Sequence, residues 1–530
     1  MKKPNLISFI VLLIISFAVY LNTLDNQFLW DDDDFFVRNE YTKDWSHLKS
    51  IFTENVIAGS GLTSNYYRPV LSLSFLVDYT LWKLKPMGYH VINIMIHASV
   101  AYLVYILINL IISSRTASLV SAVIYLVHPA HTEAVTYVTG RADPLSALFG
   151  LLSFFLFMRF KSSARNIKKA VYALSSLLFF ALGMMSREGL MFLPAFIALY
   201  LLCFEEKKIS LSAVFRIFLK ISPYLALEAV YMAVRLTSLN FSNTLNFYNE
   251  SNIFTGNIWF RILTFMSVLP EYYKLIFFPL HLTYEKEHPI FTAFLNPVII
   301  LSAAALIAIA FLMFRSWKKD KIVFFGLGLF FIALFPVSNI IVPVNGIFFE
   351  HWLYMPLIGI ALIFGYIIRN MIHSKTFSHS NYFRAIFFVL IIGFIAFLSV
   401  RTYIRNDDWQ DAFTFYSKTI KDSPNSVRLN NNLAMEYDSR GNYEQAINYY
   451  KRAILLNDKF AQPYYNLANT YVKTGNYNEA VLNYEKAIAV DPDFLFTYPR
   501  LIQIYNAIGK KEEAQRAALA YNSRISKPQI

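Results

Sequence analysis

The chain has a single cysteine, Cys203, in 530 residues, and it lies inside an apolar run. A disulfide within the chain, a four-cysteine zinc site and a dithiol redox pair are therefore excluded. Charge is scarce too: 16% of the residues are charged, against 56% hydrophobic and 17% aromatic. Soluble domains carry about a quarter charged residues, so this balance is that of a membrane protein. Walker loops, G-x-G-x-x-G turns, a G-x-S-x-G elbow and a His-Glu-x-x-His pair are all missing. ATP-driven transport, serine hydrolysis and zinc proteolysis thus lose their usual carriers.

The net charge is +13, but the Lys and Arg are scattered among loops that flank apolar segments. That distribution orients helices in a bilayer and is not the footprint of a nucleic-acid binder. Met1-Lys2-Lys3 opens an apolar run to about Tyr20, and no small-x-small cleavage site follows it. It reads as an uncleaved first membrane helix with a cytoplasmic N-terminus. Further apolar segments stand near 89–112, 117–138, 144–160, 170–186, 189–204, 211–236, 296–315, 322–342, 350–369 and 384–401. The basic clusters Arg115, Arg159 to Lys169, Lys207-Lys208, Arg315 to Lys321, and Arg369 to Arg384 are expected on the cytoplasmic side. The stretch 258–280 holds Pro270 and Glu271-Tyr272-Tyr273-Lys274, and parity forbids it a net crossing. It is expected to be a re-entrant or interfacial helical pair, leaving about eleven crossings and an outside C-terminus.

The loop 22–88 is long, aromatic and charged, and holds Trp30-Asp31-Asp32-Asp33-Asp34. Four adjacent carboxylates resist desolvation, and alone they read as a solvated loop. Leu71, Phe75, Tyr79 and Trp82 within the same loop keep helical spacing.

From about Arg405 the chain turns polar. Gly441-Asn442-Tyr443-x-x-Ala446 recurs 34 residues on as Gly475-Asn476-Tyr477-x-x-Ala480, and again as Gly509-Lys510-Lys511-x-x-Ala514. That period, with glycine at the turn and alanine at the helix crossing, is that of tetratricopeptide repeats. Asp408-Trp409-x-x-Ala412 fits as a degenerate half-repeat, which leaves little room for a linker. The expected boundaries are a membrane domain over 1–404, a junction over 405–425 and repeats over 426–525.

Polar groups otherwise gather on the side that parity makes extracytoplasmic. They are Asp31, Asp32 and Arg68; His128, His131 and Glu133; Arg141 and Asp143; Arg187 and Glu188; and the run Asn345 to Pro356, with His351 and Tyr354. Arginine forks suit phosphate, and aromatic residues suit sugar rings. Paired carboxylates could accept a proton or hold a divalent cation, Mg or Mn, with Asp32 and Glu133 as the candidate ligands.

Several stretches resemble the TMTC family, transmembrane and tetratricopeptide-repeat proteins with a GT-C glycosyltransferase membrane domain. They are Phe28-Leu29-Trp30-Asp31-Asp32, Tyr67-Arg68-Pro69, Gly88-Tyr89-His90-x-x-Asn93-x-x-x-His97, His128-Pro129-x-His131-Thr132-Glu133-Ala134-Val135, Gly140-Arg141-Ala142-Asp143 and Trp352-Leu353-Tyr354-x-Pro356. The resemblance implies an all-α fold: a polytopic GT-C-type helical domain followed by a C-terminal TPR α-solenoid. It also implies transfer of a sugar, mannose or another hexose, from a polyprenyl-phosphate carrier to Ser or Thr hydroxyls of proteins outside the cytoplasm. Asp31 and Asp32 map by position onto the family's catalytic acidic motif. Arg68, Arg141, Arg187, Glu188, His351 and Tyr354 are the candidates for the lipid phosphate and substrate. His128, His131, Glu133 and Asp143 are candidates for acceptor contacts or for flanking a metal. Where many members read Glu-Arg-Tyr-Leu-Tyr, this chain reads Glu350-His351-Trp352-Leu353-Tyr354, so Arg187 or Arg141 would take the phosphate. The repeat array, about three units, is short for the family. The expected location is a bacterial inner membrane with periplasmic repeats, and the expected partners are the lipid-linked donor, a protein acceptor and the bilayer. The rival readings are a non-enzymatic membrane scaffold, for which eleven crossings are excessive, and a lipid-linked sugar flippase. A flippase needs charges within its spans, of which Glu228 and Arg235 are the main examples.

Overall fold

The computed structural model of the protein describes residues 6–206, 208–241, 253–284, 286–344 and 346–525. Met1 to Lys3, Lys207 and Asn345 lie outside the described residues. Among the described residues there is no strand, and the fold is all-α. The chain forms two compact units: residues 1–284 with 288–410, and residues 285–287 with 411–530.

In the first unit the longer helices are α1 (Leu6–Tyr20), α2 (Pro69–Trp82), α3 (Pro86–Ile112), α4 (Arg115–Leu126), α5 (Ala142–Ser162), α6 (Asn166–Ser186) and α7 (Leu193–Phe204). They continue with α8 (Leu211–Leu236), α9 (Ile258–Phe277), α10 (Pro297–Lys319), α11 (Lys321–Leu334), α12 (Pro356–Ile372) and α13 (Asn381–Asn406). Among the described residues seven segments are long and apolar enough to cross a membrane: Leu6–Asp25, Pro86–Ile112, Thr139–Ser162, Asn166–Ser186, Leu211–Leu236, Pro297–Lys319 and Asn381–Trp409. The protein is therefore a membrane protein.

The other four expected crossings are shorter apolar helices, α4, α7, α11 and α12 with their adjoining turns. Each has a proline at one end: Pro129 beyond α4, Pro194 in α7, Pro336 beyond α11 and Pro356 opening α12. Proline donates no hydrogen bond and disfavours the helical conformation in the residue before it. The chain then runs through tight 3-10 turns, Pro129–His131, Glu188–Phe192, Phe335–Val337 and Glu350–Leu353. Irregular backbone at membrane depth is tolerable where protein surrounds it. Among the polar groups singled out in the sequence, these turns carry His131, Glu188 and His351.

The stretch around Pro270 departs from expectation. It is one 20-residue helix, α9, with Pro270 inside it, and not a helical pair. Ser267, Val268, Leu269 and Tyr272 around the proline are buried, and this packing supports the turn that the missing N–H weakens. The end of α13 is also reassigned. Arg405 and Asn406 belong to that helix, and Trp409 is buried in the first unit, although the sequence suggested a junction there. The first unit's large core cluster runs from Leu12 and Tyr20 through α3, α4 and α12 to Leu398, and a smaller one gathers Phe36, Leu71, Phe75, Tyr89, Val138 and Ala142.

The second unit is a helical array: α14 (Ala412–Thr419), α15 (Val427–Ser439), α16 (Tyr443–Leu456), α17 (Ala461–Lys473), α18 (Tyr477–Val490), α19 (Thr497–Ala507) and α20 (Lys511–Ile525). Successive helices pack as antiparallel pairs around Ala446, Ala468, Ala480 and Ala514. Gly441, Gly475 and Gly509 end the first helix of each pair with φ of 76, 77 and 80°. A side chain at those positions would be strained, hence the 34-residue recurrence of glycine. A cavity of about 540 Å³ inside this unit is lined by Asn466, Asn469, Lys473 and Arg500, among others.

Candidate functional site

The acidic run begins on a strained residue. Trp30 has φ 57°, in the left-handed region that non-glycine residues seldom adopt. Its ring meets Tyr284 edge-on at 5.5 Å. The kink separates the two leading carboxylates. Asp32 is 1% exposed; Oδ1 accepts the Thr139 N–H at 3.0 Å and Oδ2 accepts the Leu29 N–H at 3.1 Å. It is a clip between the first loop and the turn before α5. Burial pushes its carboxyl up to about 8 against those two donors. Asp31 is only partly buried, and its backbone N–H donates to the Tyr137 hydroxyl at 2.8 Å. Asp33 and Asp34 pair with Arg38, at 2.9 and 2.5 Å, as surface neighbours.

A second polar group is assembled from the proline-broken ends. Asp143 accepts from Arg187 at 2.5 Å, and Arg187 donates to Nε2 of His351 at 2.9 Å. Nδ1 of His351 lies 2.5 Å from Glu133, whose other oxygen accepts the His351 backbone N–H at 3.2 Å. Gly140 makes the short loop fit: a Cβ there would stand 2.4 Å from the Glu133 carbonyl oxygen. Arg68 pairs with Glu188 at 3.2 Å beside this row, stacked over Tyr66 at 4.5 Å.

A chain of rings joins the two groups. Trp30 touches Tyr284 at 5.5 Å, Tyr284 touches Phe349 at 5.9 Å, and Phe349 touches His351 at 5.3 Å. Trp409 packs against Tyr284 at 5.4 Å and stacks on Tyr137 at 5.2 Å. The structure thus brings Glu133, Asp143, Arg187 and His351 together, with Arg68 and Glu188 beside them, and links them through this run of rings to Trp30, the neighbour of Asp31.

Other expected site residues serve elsewhere. Arg141 is 0% exposed and pairs with Asp78 at 2.5 Å, so it is not available to a lipid phosphate. It also donates to Asn93 at 2.5 Å and to the Tyr89 carbonyl at 3.0 Å, tying α5 to α2 and α3. Tyr354 is fully buried, with its hydroxyl 2.7 Å from Nδ1 of His97, and holds α12 against α3. His131 is likewise sealed among Tyr125, Tyr354 and His97, at ring separations of 4.4, 4.7 and 5.4 Å. His128 donates from Nε2 to the Ile276 carbonyl at 3.1 Å and accepts at Nδ1 from Ala130, so it braces the turn.

A divalent cation on Asp32 and Glu133 does not fit this arrangement. Backbone donors occupy both Asp32 oxygens, and His351 occupies both of Glu133. Among the described residues no group of three or more His, Cys, Asp or Glu has metal-holding geometry.

The sequence reading missed Glu350 as a separate participant, and Arg405, Tyr137, Tyr284 and Trp409. Glu350 accepts the Thr283 N–H and faces Arg405 at 3.5 Å, and Arg405 pairs with Asp408 at 2.6 Å. Only Glu350, adjoining His351, carried a signal. The rest are ordinary helix-end and loop residues until the chain is folded.

Family models for the tetratricopeptide repeat match residues 461–494, and for the TPR repeat residues 436–475. A protein O-mannosyl-transferase of Caenorhabditis elegans is 24% identical over 454 residues, covering 83% of this chain and 61% of that protein. The protein O-mannosyl-transferase TMTC3 of Homo sapiens is 25% identical over 467 residues, covering 80% of this chain and 49% of its own length. A stretch of 149 residues is 31% identical to the Drosophila melanogaster protein O-mannosyl-transferase Tmtc1, covering 27% of this chain and 17% of that protein. The chain therefore spans about half to three fifths of the length of the first relatives it matches. The resemblance to the TMTC family is borne out over about four fifths of the chain.

Proposed function

We propose that the chain is a membrane glycosyltransferase of the GT-C type that moves a sugar, mannose or another hexose, from a polyprenyl-phosphate carrier to a protein Ser or Thr hydroxyl. The observation that carries this reading is the chain of aromatic rings that runs from Trp30, next to a partly exposed Asp31, to His351 and the Arg187 it braces. The likeness to proteins named O-mannosyl-transferases supports the reaction class.

Asp31 takes the proton of the acceptor hydroxyl. The hydroxyl oxygen forms the new bond to the anomeric carbon, the carbon–oxygen bond to the lipid phosphate breaks, and the configuration inverts. The polyprenyl phosphate leaves with its electron pair, and Arg187 with Arg68 offsets the negative charge. Asp32 keeps the Asp31 turn in shape. These groups lie on the extracytoplasmic side of the membrane, with the N-terminus cytoplasmic, as the flanking basic residues favour. The repeat unit offers its amide-rich cavity to the acceptor polypeptide.

The test is transfer of labelled mannose from polyprenyl-phosphate mannose to protein in membranes holding the chain. Asp31→Asn is expected to lower transfer by about 10²- to 10⁴-fold. Full activity in that variant would rule out Asp31 as the base. Donor translocation without transfer would instead favour a flippase, and no effect on lipid-linked sugar would leave the scaffold reading.

A further inference from the structure

Arg187 is held between two acceptors of different kinds. It donates to an Asp143 carboxylate oxygen at 2.5 Å and to Nε2 of His351 at 2.9 Å. An arginine side chain has donors only, so Nε2 carries no proton and the ring is the neutral Nδ1–H form. Nδ1 must then donate to Glu133, 2.5 Å away, and the His351 backbone N–H adds a second bond to the same carboxylate. A proton on Nε2 would set two donors face to face. The charged and titratable groups around this imidazole are Glu133, Arg187, Asp143 and Arg68, with Glu350 next in the chain. Two of the five guanidinium N–H groups of Arg187 are used in this way. Its side chain keeps 18% of its surface exposed, which leaves the others a way out.

We propose that His351 is a positioning residue that turns the Arg187 guanidinium so that its unused N–H groups face the phosphate of a polyprenyl monophosphate. The proposal rests on the transferase reading above and assigns the lipid phosphate to Arg187. An apolar residue at 351 would leave the Arg187 donor and the Glu133 acceptor without partners in a buried place. The guanidinium would then close onto Asp143 as a two-toothed pair, and an incoming phosphate would have to compete with that carboxylate. Glutamine restores the pattern, accepting from Arg187 through its oxygen and donating to Glu133 through its nitrogen.

The experiment measures equilibrium binding of sugar-free polyprenyl phosphate to the full chain in lipid nanodiscs, with wild type, H351L, H351Q, R187Q and H351L/R187Q. H351L is expected to weaken binding about tenfold, and H351Q no more than about threefold. The double variant is expected to bind no more weakly than R187Q alone, because His351 acts through Arg187. E133Q gives a second reading should H351L not fold: it is expected to weaken binding about threefold in wild type and not at all in R187Q. Additive losses, or unchanged binding in H351L or E133Q, would overturn the positioning role while leaving the transferase reading standing. If the wild-type chain does not bind polyprenyl phosphate, both fall together.

Discussion

Asp31 and Asp32 are neighbours of one residue type with opposite surroundings. The left-handed kink at Trp30 turns Asp32 inward onto two backbone N–H groups and leaves Asp31 partly exposed. A carboxylate that receives two donors in a buried clip is structural, whereas an accessible one can take a proton. Asp32→Asn replaces one acceptor oxygen with a donor, which would face a backbone N–H. It is expected to destabilise the fold by about 1–3 kcal/mol. Asp31→Asn should leave the unfolding temperature unchanged while removing transfer. Thermal unfolding of both variants in nanodiscs, read beside transfer, checks this; equal destabilisation by the two would contradict the division of labour.

At the level of elements, the site is made by helices that stop early. Prolines near α4, α7, α11 and α12 convert four apolar segments into helix-plus-turn units; the turns hold Glu188 and His351, and the short helix Thr132–Thr136 that follows the first turn holds Glu133. What keeps such turns in register is the helical packing beneath them. Arg141, fully buried, links α5 to Asp78 on α2 and to Asn93 and Tyr89 on α3. Removing one partner strands a buried charge, whereas removing both does not. Arg141→Met is therefore expected to cost about 3–5 kcal/mol, and adding Asp78→Leu to recover much of it. Yields and unfolding temperatures of the single and double variants measure this. A double variant no more stable than the single would show that the loss comes from the Asn93 and Tyr89 contacts instead.

For the whole molecule, a buried acid makes stability depend on pH in a stated direction. Burial pushes the Asp32 carboxyl, in the loop outside the spans, up to about 8. A carboxyl whose folded pKa is raised holds its proton more tightly when folded, so stability is lost as pH rises towards that value. The unfolding temperature should therefore fall between about pH 6.5 and 8. A rise with pH across that interval would contradict the burial of Asp32. The sequence by itself determined a good deal of this protein: helices in a membrane, since apolar runs must satisfy their backbone internally, and a repeat array, since only glycine fits its turns. It also marked the polar residues that collect between the apolar segments, because charge is expelled from lipid. Which of them act together was decided by the tertiary structure. Arg141 and Arg187 look alike as isolated loop arginines, yet packing seals one against Asp78 and sets the other against His351. Arg405 and Trp409 looked like the start of a repeat and are part of the membrane unit. Pairing across hundreds of residues leaves no local trace in the chain, because burial and hydrogen-bond geometry exist only once the helices have packed.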